Sequence, residues 1–225
     1  MDRQRSQQFM QKLVGDVATA LAVSVLFVAE RSGLLAAMAG AGPVSGAELA
    51  ERTGMPVRFA EESLAALAAS GYVEHDPATD RFTLPEEHAA FLVDPSSEYY
   101  LGGLVEGQLT VAATTPQLAQ AYARGEGLPF AAFGPELPGV LERMNRSVYE
   151  RRLVRSWLPA LPEVVAQLHD GGRALDVGCG TGIVPITLAA SFPTARVAGL
   201  DLDERSITAA GQNAAAAGVA VEFIQ

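Results

Sequence analysis

The sequence predicts an α/β chain in which a mostly helical N-terminal region precedes the first part of a doubly wound parallel sheet. Two observations carry this prediction. Helix-forming segments, interrupted by one short pair of strand-like runs, occupy residues 8–157, and from residue 173 strand-like and helical segments alternate around a glycine-rich turn. Such alternation is typical of parallel strands joined by helical crossovers.

The composition limits the size and the partners of the protein. The chain has 225 residues, of which 49% are hydrophobic, and this allows one large domain or two small ones. Its 26 acidic residues outnumber its 16 basic residues, so that the formal net charge is −10. An acidic surface repels phosphate backbones and anionic lipid headgroups. We therefore expect neither nucleic acid nor a membrane as a partner.

The single cysteine and the longest apolar run bear on location. Cys179 is the only cysteine, which excludes an intrachain disulfide and a thiolate metal cluster, and we expect a cytoplasmic protein without a bound metal. The most apolar stretch covers 13 residues between Asp16 and Glu30, fewer than the roughly 20 that cross a bilayer. It indicates a buried helix, and we find no targeting segment.

Residues 8–40 consist of helix formers with apolar side chains nearly all round the helix. A helix of this kind needs burial on more than one side, and either a partner subunit or the core of the same chain could supply it. The pattern favours a partner subunit. The apolar positions include Phe9, Leu13, Val17, Leu21, Val25 and Val28.

Residues 43–84 predict a helix, a turn, a second helix and a hairpin, the order of a winged helix. Ser45 and Glu48 have the spacing of a capping box, and Gly54 ends the first helix. A second helix is expected over 57–70, followed by strands over 72–75 and 81–84 around a turn. We expect Phe59, Leu64 and Leu67 to face inward.

The charge of this region argues against DNA, the usual partner of a winged helix. Nine acidic and three basic side chains lie between Gly46 and His88. The second helix carries Glu61 and Glu62 beside a single Arg58, so that it would meet phosphates with the wrong sign. A DNA-binding regulator with a degenerate enzyme fold is a disfavoured alternative.

Residues 96–170 predict a helical connector with breaks, rich in glycine, proline and aromatic side chains. Within it, residues 140–157 predict a helix whose interleaved arginines and glutamates are typical of a solvated face. We divide the chain into residues 1–95, helical and winged-helix; residues 96–170, the connector; and residues 171–225, a Rossmann-like sheet domain.

The last part predicts the order β-α-β-α-β. A strand over Arg173–Val177 leads through a glycine loop into a helix over 183–190, and a strand over Arg196–Leu200 follows. Asp203 caps a further helix that reaches Ala217, and residues 220–224 form a third strand. Right-handed parallel crossovers are expected.

The glycine loop and two acidic residues predict the ligand. The loop reads G-x-G-x-G, whereas a dinucleotide fingerprint starting at Gly178 needs glycine where Ile183 stands. Asp176 precedes the loop, and a negative side chain suits a ligand that carries an ammonium and a sulfonium better than one that carries a pyrophosphate. Asp201 ends the second strand, where an acid can bind ribose hydroxyls. S-adenosyl-L-methionine is such a ligand.

Residues 175–182 resemble the first motif of class I S-adenosylmethionine-dependent methyltransferases, and residues 199–203 resemble the acidic end of their second strand. The resemblance implies that the glycine loop packs against the methionine part of the cofactor and that Asp176 anchors its amino end. It also implies that Asp201 binds the ribose and that Leu202 lies against the adenine. The implied cofactor-binding residues are Asp176, Gly178, Cys179, Gly180, Thr181, Gly182, Asp201 and Leu202.

The N-terminal half is similar to the winged-helix dimerisation region of small-molecule methyltransferases. This implies a homodimer through the N-terminal helices and a connector that helps to wall the acceptor pocket. Tyr99 and Tyr100 would either line that pocket or fill the core, and both interpretations stay open.

The resulting functional expectation is methyl transfer to a small-molecule acceptor by in-line displacement, for which positioning matters most and a base is optional. No motif identifies a catalytic residue among His75, His88 and His169, and Cys179 is expected to be a small loop residue. The alternative is a non-catalytic regulatory protein that keeps a cofactor half-site. The complete fold needs about seven strands and three precede Gln225, so we expect a partial sequence with one unpaired edge on the first strand.

Overall fold

A computed structural model describes all 225 residues, and they form two compact units, Met1–Val105 and Glu106–Gln225. The first unit is helical with one small hairpin, and the second contains a parallel sheet flanked by helices. The predicted fold class is confirmed.

The first unit contains six helices and two strands, the last helix crossing into the second unit. They are α1 (Arg3–Arg31), α2 (Leu34–Met38), α3 (Gly46–Thr53), α4 (Val57–Ala69), β1 (Glu74–Asp76), β2 (Arg81–Thr83), α5 (Glu86–Leu92) and α6 (Gly102–Ala113).

The order α3, α4, β1, β2 forms the predicted winged helix. The Ser45 hydroxyl accepts a hydrogen bond from the Glu48 amide, and the Glu48 carboxylate accepts one from the Ser45 amide, which completes the capping box. Gly54 ends α3 with a φ of +73°, where glycine avoids the strain of a side chain. The strands pair antiparallel, with His75 opposite Phe82.

The core of this unit lies between α2, α3 and α4. Leu64 and Leu67 are fully buried, as predicted. Phe59 is 65% exposed, so the inward orientation predicted for it is wrong. Its place on the helix explains the difference, because position 59 is not on the face shared by Ala60, Leu64 and Leu67.

Helix α1 is a single helix of 29 residues whose apolar side chains remain largely exposed. Only Leu26 and Ala29 are buried in it. The helical run does not continue unbroken to residue 40, because Gly33 has a φ of +77° and separates α1 from α2. By length and composition alone, helix α1 could cross a membrane. It contains an 18-residue stretch with a mean hydropathy of 1.9, and 11% of that stretch is buried. The 13-residue apolar run is too short to cross a bilayer, but the whole helix is not.

The second unit holds the sheet and the helices around it. After α6 come α7 (Thr115–Ala123), α8 (Leu137–Arg152), α9 (Pro162–His169), β3 (Arg173–Val177), α10 (Ile183–Ser191), β4 (Arg196–Leu200), α11 (Glu204–Ala217) and β5 (Glu222–Ile224). A short 3₁₀ turn, Phe130–Phe133, precedes α8, and a π-helical turn, Leu153–Trp157, follows it. The helix predicted over 140–157 therefore begins earlier than expected, at Leu137, and its last five residues are π-helical.

The three strands are parallel in the order β3-β4-β5. Leu168, Leu188, Phe192 and Val197 form the core between the sheet and its helices. Strand β3 lies at one edge, where Leu175 and Val177 are 60% and 71% exposed. The carboxyl ends of β3 and β4 lie side by side and carry the residues that the sequence singled out.

Candidate functional site

Three glycines shape the turn between β3 and α10. Gly178, Gly180 and Gly182 have φ angles of +79°, +53° and +87°, a region that costs other residues roughly 1–2 kcal/mol. A Cβ atom added to either of the first two would meet nothing within 4 Å, whereas one added to Gly182 would lie 2.9 Å from Phe223 Cζ and 3.1 Å from the Ala210 Cβ. The first two glycines thus leave bare backbone beside open space, and the third is required by packing.

Hydrogen bonds from β4 hold the loop in place. The amides of Gly178 and Cys179 both donate to the Leu200 carbonyl, at 2.7 and 3.0 Å. The Gly180 amide donates to Asp201 Oδ2 at 2.8 Å. Asp201, predicted from its position at the end of the strand, therefore contacts the glycine loop directly.

A side chain of α11 also forms a hydrogen bond with the glycine loop, which the sequence did not predict. Asn213 Nδ2 donates to the Thr181 carbonyl at 3.0 Å, and Thr181 itself is 5% exposed. The only sequence signal for this contact is a lone amide side chain in an alanine-rich helix, which gives no indication of its partner.

The segment after β4 is ordered by two carboxylates. Asp201 Oδ1 accepts a hydrogen bond from the Asp203 amide at 2.9 Å. Asp203 caps α11, as predicted, by accepting from the Ser206 amide and hydroxyl at 3.0 and 2.9 Å. Leu202, between them, is 93% exposed. Each Asp201 oxygen accepts one backbone hydrogen bond, and a carboxylate oxygen can accept a further one.

Asp176 and Cys179 lie in an environment that disfavours negative charge. Burial raises the pKa of the Asp176 carboxyl, and the negative charge of Asp201 raises it further. Cys179 is 8% exposed, and burial, followed by the charges of Asp176 and Asp201, raises the pKa of its thiol to about 11. A thiol with this pKa is protonated at neutral pH and is a poor nucleophile. Cys179 is a packing residue of the loop.

A cavity of about 750 Å³ opens beside the loop, within the usual range of roughly 300–1,000 Å³ for small-molecule sites. Of the eight residues that the sequence singled out, all but Gly182 line this cavity. On this side the lining consists of Asp176, Val177, Gly178, Cys179, Gly180, Thr181, Ile183, Val184, Leu200, Asp201, Leu202, Asp203 and Ser206.

A second wall of the cavity comes from the connector, in which the sequence assigned no individual residue. It consists of Phe130, Ala131, Pro138, Leu141, Glu142, Asn145 and Tyr149. Glu142, Asn145 and Tyr149 have i, i+3, i+7 spacing and share one face of α8. We predicted that the charged side chains of this helix are exposed to solvent. The prediction is wrong for Glu142, whose side chain is 20% exposed and pairs with Arg146. Its helical spacing with the apolar Pro138 and the aromatic Tyr149 is the signal that could have placed it inward.

The remaining candidates lie elsewhere. Tyr100 is 7% exposed and donates a hydrogen bond to Glu30, so that it fills the interior of the first unit. Tyr99 is 50% exposed and packs beside Phe91. His88 bonds the Tyr72 carbonyl. The histidines do not line the cavity.

Sequence comparisons match both parts of the chain. Residues 17–94 match a family described as Rv2258c-like winged HTH domain, and residues 174–225 match one described as Methyltransferase domain. A release factor glutamine methyltransferase of Neisseria gonorrhoeae is 30% identical over 145 residues, which are 62% of this chain and 52% of that protein. Another, from Enterococcus faecalis, is 45% identical over 49 residues, 22% of this chain and 18% of that protein. The chain thus spans about half the length, or less, of these curated relatives.

Solved structures share the fold over nearly the whole chain. The mitomycin 7-O-methyltransferase MmcR superposes with a TM-score of 0.68 at 21% identity over 98% of this chain and 67% of that one. An O-methyltransferase from Nostoc punctiforme gives 0.70 at 19% identity over 96% and 63%. Human N-acetylserotonin methyltransferase gives 0.64 at 17% identity over 99% and 66%. The chain thus joins a segment that matches a winged HTH family to one that matches a methyltransferase domain family, and its fold is that of class I S-adenosylmethionine-dependent methyltransferases.

Proposed function

We propose that the chain binds S-adenosyl-L-methionine in the cavity beside the glycine loop and serves methyl transfer to a small-molecule acceptor. The observation that carries the proposal is the bare backbone of Gly178 and Gly180, which faces open space in a cavity edged by Asp176 and Asp201. A backbone without Cβ atoms lets a ligand approach closely.

The residues of the cavity fit the cofactor. The loop, including Cys179, Thr181 and Gly182, would hold the methionine part, and Asp176 would accept from its ammonium. Asp201 would bind the ribose through the lone pairs that its two backbone hydrogen bonds leave unused. Leu202 would lie against the adenine, a role that suits an apolar side chain with 93% exposure.

The acceptor would lie against the second wall of the cavity. Phe130, Leu141 and Tyr149 offer an apolar and aromatic surface there, which suits a small organic molecule. The solved structures that match nearly the whole chain include enzymes named for small acceptors, mitomycin and N-acetylserotonin. We extend this to the division of the chain: residues 1–95 would dimerise, residues 96–170 would wall the acceptor pocket, and residues 171–225 would bind the cofactor.

When bound, the cofactor would supply an activated methyl group, because the sulfonium sulfur leaves as a neutral thioether when a nucleophile attacks the methyl carbon in line. The part of the chain in this reaction is to hold the two molecules aligned and to keep water away. Leu141 and Val184 line the cavity and would shield the reacting atoms from water. No residue is assigned as a base, because displacement at an activated carbon does not require one.

Calorimetric titration of S-adenosylmethionine into the chain tests the proposal. We expect saturable binding that Asp201→Ala abolishes, because the substitution removes the ribose acceptor and the bond to the Gly180 amide. Glu204→Ala is the matched control, since it removes an exposed acid three residues further on that does not line the cavity.

Absence of binding by the folded, unaltered chain would contradict the proposal. Binding that leaves every small acceptor unmethylated would favour the alternative of a regulatory protein that retains a cofactor half-site.

We also propose that two copies associate through α1. The support is the exposed apolar surface of that helix, where side chains such as Phe9, Val14 and Leu21 are more than half exposed. We propose a cytoplasmic location as well, which cell fractionation tests, and the acidic winged helix argues against nucleic acid.

A further inference from the structure

One charged side chain of α8 lines the same cavity as the glycine loop. Glu142 lines the cavity, and its side chain is 20% exposed. Arg146, one turn further on, binds Glu142 with one guanidinium nitrogen and Glu150 with another. Glu150 is 45% exposed and does not line the cavity. Arg146 therefore binds two carboxylates, of which only Glu142 lines the cavity.

The charged side chains of the cavity wall are all acidic. Four carboxylate side chains line it, and no lysine, arginine or histidine does. Asp201 and Asp203 each bond backbone amides, so that their oxygens are partly engaged in holding the loop and capping α11. Burial, followed by the charge of Asp201, raises the pKa of the Asp176 carboxyl. Glu142 is the acid on the second wall.

We propose that Glu142 is a specificity-determining residue that favours the positively charged sulfonium cofactor over the neutral thioether product. This rests on the proposed function. S-adenosylmethionine carries an ammonium, a sulfonium and a carboxylate, a net charge of +1. When the lone pair of an acceptor takes the methyl carbon, the C–S electron pair stays on sulfur and the proton of the acceptor passes to water. The ligand left behind, S-adenosylhomocysteine, has no net charge, so Glu142 no longer attracts it.

The size of the cavity makes this attraction significant. A volume of about 750 Å³ corresponds to a sphere roughly 11 Å across, close to the ~8–10 Å Debye length, so salt screens the interaction only in part. At about 8 Å and an effective dielectric constant of about 40, one charge pair contributes enough to change affinity about fivefold. The same sign of charge disfavours acceptors that carry carboxylate or phosphate groups.

Calorimetric titration with two ligands and three variants tests the inference. We expect Glu142→Gln to weaken S-adenosylmethionine binding about fivefold while S-adenosylhomocysteine binding stays within about twofold. Glu150→Gln, which removes the other partner of Arg146, should leave both affinities unchanged. Glu142→Asp keeps the charge and should retain most of the preference for the sulfonium.

Each other outcome has a definite meaning. If Glu142→Gln weakens the binding of both ligands equally, or of neither, Glu142 does not discriminate between the charged and the neutral ligand. The cofactor assignment would stay intact. An equal effect of Glu150→Gln would overturn the role of Glu142 too, since the cause would then be the helix rather than the cavity. Failure of the unaltered chain to bind either ligand would overturn the proposed function, and the inference with it.

Discussion

At the scale of single residues, Cys179 shows how the site controls reactivity through burial. Its thiol has a pKa of about 11 because it is buried and lies beside Asp176 and Asp201. We expect alkylation by iodoacetamide to be slow at pH 7.5 in the folded chain and to accelerate as the pH approaches 11, because only the thiolate reacts.

In urea the same thiol should react with an ordinary pKa near 9. A folded pKa above the unfolded one also means that this group stabilises the fold below pH 9 and loses that contribution as the pH rises toward 11. Rapid alkylation of the native chain at pH 7.5 would show that the thiol is activated and not merely buried.

At the scale of elements, Asn213 makes α11 a support for the glycine loop. Its hydrogen bond to the Thr181 carbonyl is worth about 1 kcal/mol, so Asn213→Ala should weaken cofactor binding about fivefold if that energy holds the loop in its binding shape. Gln212→Ala, at an exposed neighbouring position on the same helix, should have no effect. Calorimetry measures the affinity, and urea unfolding separates it from stability; a fall in stability with unchanged affinity would assign Asn213 to the fold alone.

The sequence predicts those elements whose signal is local. The capping box at Ser45, the cap at Asp203 and the strands before and after Gly178 depend on neighbours within a few positions, and all appear in the structure. Asn213 acts on a residue 32 positions away, and Glu142 shares a cavity with the loop because of how α8 packs. Such contacts depend on how elements pack, and charge or periodicity along a single segment does not reveal them.

The face of Phe59 was predicted wrongly for a related reason. Its apolar side chain indicates burial, yet it stands on the exposed side of α4. Solvent-exposed apolar side chains are common, so hydrophobicity at one position is weak evidence of an inward orientation.

At the scale of the whole molecule, the exposed helix α1 predicts association of two chains. Burying one leucine or valine side chain contributes about 1.5–3 kcal/mol, and α1 exposes several such side chains in one helix. We expect light scattering to give the mass of a dimer and Leu21→Arg to give a monomer with unchanged helical circular dichroism. Gln11→Arg, a change at an exposed polar position of α1, should remain dimeric; a monomeric unaltered chain would contradict the proposal.

The aromatic ring of Phe223 against Gly182 has a consequence for the order of biosynthesis. The glycine turn leaves the ribosome early, but the ring that fixes its last residue belongs to β5, 41 positions later. Domains form in order as the nascent chain emerges. We therefore expect the winged-helix unit to fold first and the turn to gain its final shape only after Phe223 has been synthesised.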